Sequence, residues 1–264
     1  MMPEFHTPKK QRRGLLTFLI TIGLFFASVN LSVAQKAEIT VAAAADLRYA
    51  MDSLVSVFKT EQPGVRVTVI YGSSGKFFQQ ISHNAPFDVF FSADIDFPKQ
   101  LEKKGLTASP IHTYAVGRLV LWSTKIKPKD LKSLQDRSVR KIAIANPQLA
   151  PYGKRAEEVL RHYKLYDQVK NKLVQGENIA QTAQFVSTGA ADIGLIALSL
   201  ALSPPLKSQG AFYLIPSTAH TPLQQAHVVL KRALHNKSAF AFLTFMETNK
   251  AKKIMEAFGF SIPK

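Results

Sequence analysis

Two short blocks of the chain repeat one plan at one spacing. Gly72-Ser73-Ser74 follows a β-branched run and opens a helix-like stretch, and Asp88 starts the next apolar run sixteen residues after Gly72. Gly176-Glu177-Asn178 does the same, with Asp192 sixteen residues after Gly176. Strand, small polar turn, helix, then a strand led by aspartate is the pattern of a βαβ unit. Two copies, with no low-complexity tract or long linker between them, predict two α/β lobes built alike and joined by short crossings. A cleft between such lobes is where α/β proteins place ligands.

The remaining segments keep the alternation. Glu38 to Ala43 reads as a buried strand, and Leu47, Ala50, Met51, Leu54, Val55 and Phe58 recur at helical spacing. Val65 to Tyr71 reads as a strand, Phe77, Phe78 and Ile81 start a short helix, Phe87 to Phe91 form another strand, and the helix at Pro98 and Leu101 stops at Gly105. Further on, strands are expected at Arg118–Ser123, Lys141–Ala145, Lys172–Val174, Ile193–Ala197 and Ala226–Lys231. Helices are expected around Ala156–Tyr163 and at Ile179–Ser187, Lys237–Glu247 and Asn249–Phe258. The fold class is α/β, with mostly parallel sheets.

The N-terminus reads as an export signal. Lys9, Lys10, Arg12 and Arg13 precede a fifteen-residue apolar run from Leu15 to Val29, and small residues follow at Ser32-Val33-Ala34. The run is short for a bilayer span, so cleavage after Ala34 and a soluble, periplasmic product are expected, with an uncleaved N-terminal anchor as the alternative. The formal net charge of +16 falls to +13 once four basic residues and Glu4 are removed. That surplus favours long-range attraction of anions. The lysines are scattered, without a basic block carrying interleaved aromatics, so no nucleic-acid partner is expected. There is no cysteine among the 264 residues, which excludes disulfides, Cys-ligated zinc, iron–sulfur clusters, a thiol nucleophile and a lipoprotein anchor.

Catalytic motifs are sparse. Ser73 and Lys76 stand at Ser-x-x-Lys spacing, but the companion motifs of penicillin-recognising enzymes are missing. His220 and His227 lack a carboxylate at ligand spacing and are expected at the surface or a hinge. Asp88 and Asp94 flank a strand and are expected to cap turns. No catalytic residue, cofactor or protein-bound metal is expected. Anion binding fits better, because helices start directly after small polar turns at Ala45-Asp46, Ser73-Ser74-Gly75, Pro151-Tyr152-Gly153 and Glu177-Asn178. Each helix start offers unpaired N–H groups and partial positive charge, though Ser, Asp and Asn are also ordinary caps.

At these turns the chain resembles the periplasmic molybdate-binding proteins of ABC transporters. The matching stretches are Ile39 to Leu47, Gly72 to Gly75, Ala85 to Asp94, Pro147 with Ala150 to Gly153, Gly176 to Ile179, and Phe258 to Pro263. The resemblance implies a type II periplasmic binding fold with crossings near Tyr114–Arg118 and Pro216–Pro222. Residues 35–115 and 218–264 would form one lobe and residues 116–217 the other. It implies a monomer that holds a molybdate or tungstate oxyanion by uncharged donors, with no protein ligand on the metal, and delivers it to a membrane permease. Carried over by position, the site is Asp46, Ser74, Tyr152, Ile179 and Ala197, with Ala45, Ser73 and Asn178 beside it. Relatives place Ser or Asn at position 46 and some a tyrosine at position 197. A carboxylate repels a dianion, so Asp46 is expected to cap its helix and lend only its N–H. With alanine at 197, a hydroxyl from Tyr152 is the expected substitute. The alternatives are a binding protein for sulfate, another oxyanion or a small organic acid, and a secreted serine hydrolase.

Overall fold

The computed structural model describes residues 37–263 together with Met1, Pro3 and Glu4. The expected export signal, from Lys9 to the cleavage point after Ala34, lies outside the described residues. Ten strands are described: β1 (Ala37–Ala44), β2 (Val65–Gly72), β3 (Val89–Ser92), β4 (His112–Gly117), β5 (Leu119–Ser123), β6 (Ile142–Ala145), β7 (Leu173–Gly176), β8 (Ile193–Ala197), β9 (Ala211–Leu214) and β10 (Leu223–Val229). They form two five-stranded sheets, ordered β2-β1-β3-β10-β4 and β7-β6-β8-β5-β9. In the first sheet β1 runs parallel to β2 and β3, and β10 runs antiparallel to both of its neighbours. In the second, β6 runs parallel to β7 and β8, and β5 runs antiparallel to both of its neighbours. Each sheet therefore has four strands in one direction and one reversed strand, a type II binding-protein arrangement.

The repeated blocks occupy the same station in both sheets. One is β2, the helix Ser74–Ser82 and β3; the other is β7, the helix Ile179–Ser187 and β8. Their leading aspartates also do the same job. Asp88 Oδ2 accepts the Thr40 N–H at 2.7 Å in the middle of β1. Asp192 Oδ2 accepts the Arg140 and Lys141 N–H groups, each at 2.9 Å, just before β6. Each carboxylate ties the third strand in its sheet's order to the second. Asp94 instead accepts the Phe97 N–H at 3.2 Å in the first turn of the helix Asp96–Lys103.

Period-2 alternation explains how the first sheet is covered on both faces. Ile39, Val41 and Ala43 of β1 pack with Val89 and Phe91 of β3 under the helix Arg48–Glu61. Ala42, Phe90 and Val228 face the other layer, with Phe77, Ile81 and Leu101. Full burial of each such phenylalanine is worth about 1.5–3 kcal/mol. The second lobe closes around Trp122, Leu121, Ile144 and Leu195, all at most 1% exposed. Ala44, Ala45 and Ala93 of the first lobe belong to that same packed cluster. The two halves therefore touch at the ends of β1 and β3.

The chain passes from the first sheet to the second at Arg118 and returns across residues 215–222. Tyr114–Gly117, expected to be crossing segment, is strand β4, and β9 was not foreseen. After β10, the helices Lys237–Met246 and Asn249–Ala257 pack back on the first sheet through Phe242, Phe245 and Met255. Ser261 then pairs with Val116, adding a bridge beside the passage. Among the described residues no helix is long and apolar enough to cross a membrane.

Candidate functional site

Four helix starts meet where the halves touch. Ala45–Leu47 is a short 3-10 turn leading into the helix at Arg48; Ser73 precedes the helix at Ser74; Ala150 precedes the helix at Pro151; and Asn178 precedes the helix at Ile179. Residues from all four starts, with Gly72 and Ala93, line one cavity of about 10 Å³. That is room for a single water-sized group. A groove of about 550 Å³ lies elsewhere, between Arg48, Tyr49, Gln184 and Gln209. It takes in only two of the four helix starts, at Arg48 and at Asn178, so size alone does not select the site.

The donors of the cavity are arranged by their neighbours. Ser74 Oγ accepts the Ala93 N–H at 3.0 Å, which fixes its lone pair and leaves its proton free to donate. Ser73 Oγ is buried and makes no hydrogen bond. Asn178 Oδ1 accepts the N–H groups of Ala180 and Gln181, each at 3.0 Å, but not that of Ile179. Pro151 has no N–H and pre-sets the first turn, so the first N–H of its helix belongs to Tyr152. Contacts across the cleft hold the walls together. The Gly75 N–H donates to the Leu149 carbonyl at 2.8 Å, and Ser199 Oγ donates to the Asp46 carbonyl at 2.7 Å. Lys76 Nζ meets Glu177 Oε1 at 2.5 Å.

Asp46 departs from the expected role. Among the described residues no N–H of the helix start is hydrogen-bonded to its side chain, although those of Asp46 and Leu47 lie near enough to favour its charged form. The carboxylate turns instead into a buried network, where Oδ2 accepts from Gln225 Nε2 at 2.5 Å. The Tyr152 hydroxyl lies beside the carboxylate and accepts from Gln225 Nε2 at 3.3 Å. Tyr114 closes the network, donating to Gln225 Oε1 at 2.7 Å. Asp46 is 1% exposed, and its Oδ1 has no partner. Burial pushes its carboxyl up to about 6, against the opposing hydrogen bonds from Gln225 and Tyr152. Burial and the nearby Asp46 push the hydroxyls of both Tyr114 and Tyr152 well above the usual tyrosine range.

Of the residues expected at the site, Asp46, Ser74, Tyr152, Ile179, Ala45 and Ser73 line the cavity, whereas Ala197 and Asn178 do not. Ala197 ends β8, where it pairs with Leu119, and its methyl group is too short to reach out of the strand. Asn178 is committed to capping. The expected Tyr152 hydroxyl is present but engaged with Asp46 and Gln225. Gln225 and Tyr114 were missed, since no local pattern announces a partner for Asp46 that lies 179 residues away.

One further expectation is corrected. His227 is neither a surface nor an exposed hinge residue: it is 1% exposed, stacked on Tyr114 and His112, and beside Phe91. Alternation in β10 carries it inward with Gln225 and Val229. Ser73 and Lys76 also do not assemble a nucleophile and base, because Lys76 is paired with Glu177 and Ser73 Oγ has no hydrogen-bond partner. Among the described residues no group of three or more His, Cys, Asp or Glu is placed to hold a metal ion.

Comparison with known proteins bears on the same residues. The family model for bacterial extracellular solute-binding proteins matches residues 39–261. The chain is 38% identical over 232 residues to the molybdate-binding protein ModA of Azotobacter vinelandii, covering 87% of this chain and 92% of that protein. It is 33% identical over 255 residues to the ModA of Rhodobacter capsulatus, covering 96% and 97%. The solved periplasmic molybdate-binding protein of Azotobacter vinelandii superposes with a TM-score of 0.79 at 33% identity, covering 86% of this chain and all of that one.

Proposed function

We infer the function from one premise: the chain belongs to the bacterial extracellular solute-binding protein family. Its relatives at 38% and 33% identity are molybdate-binding proteins, and we propose the same role here. The protein binds molybdate or tungstate in the cleft and delivers it to the membrane permease of an ABC importer. It works as a monomer in the periplasm, after cleavage behind Ala34; the mass of the exported protein checks the cleavage point. One lobe comprises residues 35–115 and 218–264 and the other residues 116–217, a division supported by the two passages between sheets except that β4 keeps Val116 and Gly117 on the first sheet.

The observation that carries this reading is the convergence of four helix starts, two from each half, on one cavity without a lysine or arginine in its lining. An oxyanion there is held by helix-start N–H groups and hydroxyls, whose partial charges suit spread negative charge. Ser74 gives its hydroxyl, Ser73 a second one, and Tyr152 and Ile179 their backbone N–H groups. No atom of the protein needs to touch the metal. The cavity is smaller than a tetrahedral oxyanion, so admission requires the halves to part and binding requires them to close around the larger guest. Buried donors left unpaired cost free energy, so the filled, closed form is favoured over the closed form alone. Selection follows from reach, since sulfate is smaller than molybdate and leaves some donors unmet. Phosphate at neutral pH carries a proton that meets donors rather than acceptors.

Thermal unfolding of the mature protein with molybdate, tungstate, sulfate and phosphate tests this. A ligand at a hundred times its Kd adds about 2.7 kcal/mol of stability. The first two anions are expected to raise the melting temperature and the last two to leave it nearly unchanged. A rise with sulfate alone would transfer the role to sulfate.

A further inference from the structure

Among the described residues Asp46 is the only ionisable carboxyl lining the cleft cavity, and it arrives without a cation. From the other half it faces the hydroxyl of Tyr152; from β10, the Gln225 amide; from β4, the hydroxyl of Tyr114. From its own segment it faces the N–H groups of Asp46 and Leu47. The helix Leu198–Ala201 offers only Ser199, which bonds the Asp46 carbonyl. The adjacent Arg48 is exposed and lies over the Tyr71 ring, 5.1 Å from its centroid. The Tyr71 hydroxyl itself turns to Asp52. None of these neighbours neutralises the carboxylate.

The two carboxylate oxygens are unequal. Oδ2 accepts from Gln225, while Oδ1 is buried and makes no hydrogen bond. Asp46 lines this cavity, so a dianion placed there would sit beside its ionised carboxylate in the absence of water, where like charges repel most strongly. A proton on Oδ1 removes the charge and turns the unpaired acceptor into a donor. We propose that Asp46 takes part in oxyanion binding as a neutral carboxylic acid, holding one proton between Oδ1 and an oxygen of the anion. Binding at neutral pH then draws that proton from solvent. Burial already holds the carboxyl at about 6 in the protein alone, and a bound dianion raises it further.

The sign follows from linkage. The anion-bound form holds its proton to higher pH than the free form. Affinity is therefore full below about pH 6, where both forms are protonated. It falls as pH rises above that, by about tenfold per unit while only the bound form keeps the proton. This inference rests on the molybdate reading and adds the protonation state of the site.

Titration calorimetry of the mature protein with sodium molybdate tests it, at pH 7.5 in two buffers of different ionisation enthalpy and then across pH 7 to 8.5. The expected result is uptake of close to one proton per anion and a Kd that rises about tenfold per pH unit. Asp46→Asn replaces the acid by a neutral amide and is expected to bind with no proton uptake and a flat profile. Wild-type binding with no proton uptake and a flat profile would overturn the proposal and leave the molybdate function standing. An Asp46→Asn variant that keeps the wild-type slope would overturn it equally. No binding of molybdate or tungstate at any pH from 5.5 upward would instead remove the functional reading and this proposal with it. The wild-type measurement decides by itself, so a poorly folded variant does not weaken the test.

Discussion

Ser74 is engaged from two sides, and that makes its removal informative. Its oxygen accepts the Ala93 N–H, so its proton is left to serve the cavity. Ser74→Ala is expected to weaken molybdate binding by about 1.5–3 kcal/mol, the range for a hydrogen bond to a charged group. It also orphans a buried N–H, so the ligand-free protein should lose about 1 kcal/mol to urea. Calorimetry and urea titration separate the two effects, and unchanged affinity would move the anion away from this loop. His227 gives a second prediction. Its ring nitrogens find no partner, and burial, followed by the nearby His112, lowers its pKa from 6.5 to about 3. The unfolded chain therefore binds a proton between those values that the folded protein refuses. The stability this group contributes is full above pH 6.5 and drains away as pH falls toward 3, by about 2–3 kcal/mol between 6.5 and 4.5. Asp46 works in the opposite direction below about pH 6, where its raised carboxyl gains its proton in the folded state. His227→Phe should flatten the acid limb of a urea-midpoint curve, since phenylalanine suits the aromatic stack. A curve as steep as the wild type's would show that other groups set acid sensitivity.

At the scale of elements, the helix Ser74–Ser82 is positioned by what its first turn lacks. A Cβ on Gly75 would stand 2.7 Å from the Leu149 carbonyl oxygen and 3.1 Å from both the Leu149 Cα and the Phe97 ring. The glycine lets backbone of one half touch backbone of the other. In the touching arrangement an alanine at 75 meets backbone that must shift, so Gly75→Ala should not raise the ligand-free melting temperature. It should also hold the halves apart and cut molybdate affinity more than tenfold; preserved affinity would mean that closure does not bring these turns together. Such turns were legible in the sequence because they are local. Gly72-Ser73-Ser74 and Gly176-Glu177-Asn178 carry their helix starts with them, and the equal distance to Asp88 and Asp192 marks the strand each aspartate anchors. What escaped was carried by distance or direction. Gln225 and Tyr114 meet Asp46 only because β10 and β4 pair across a chain separation no local window spans. Ala197 was expected at the site by position alone, and an alanine at the end of β8 has no side chain long enough to leave its sheet. The turn of the Asp46 carboxylate away from its helix depended on those same unseen partners.

At the scale of the molecule, the contacts between the halves are unequal in weight. Lys76 and Glu177 pair at 2.5 Å, yet their side chains are 48% and 45% exposed, and such a pair is worth at most about 1 kcal/mol. The Gly75–Leu149 and Ser199–Asp46 hydrogen bonds are set deeper and join backbone groups to the opposite half. Closure should therefore depend on the turns and their guest rather than on surface charge. Two measurements follow from that order. Lys76→Met is expected to change molybdate affinity less than fivefold, which fits neither a catalytic lysine nor an electrostatic latch. Small-angle scattering of the wild type should give a smaller radius of gyration with molybdate than without it, while Gly75→Ala should show a reduced change. A wild-type radius indifferent to ligand, at concentrations where calorimetry shows saturation, would mean the halves are held closed by their own contacts. The anion would then have to enter through local opening of the Ser73 and Ala150 turns.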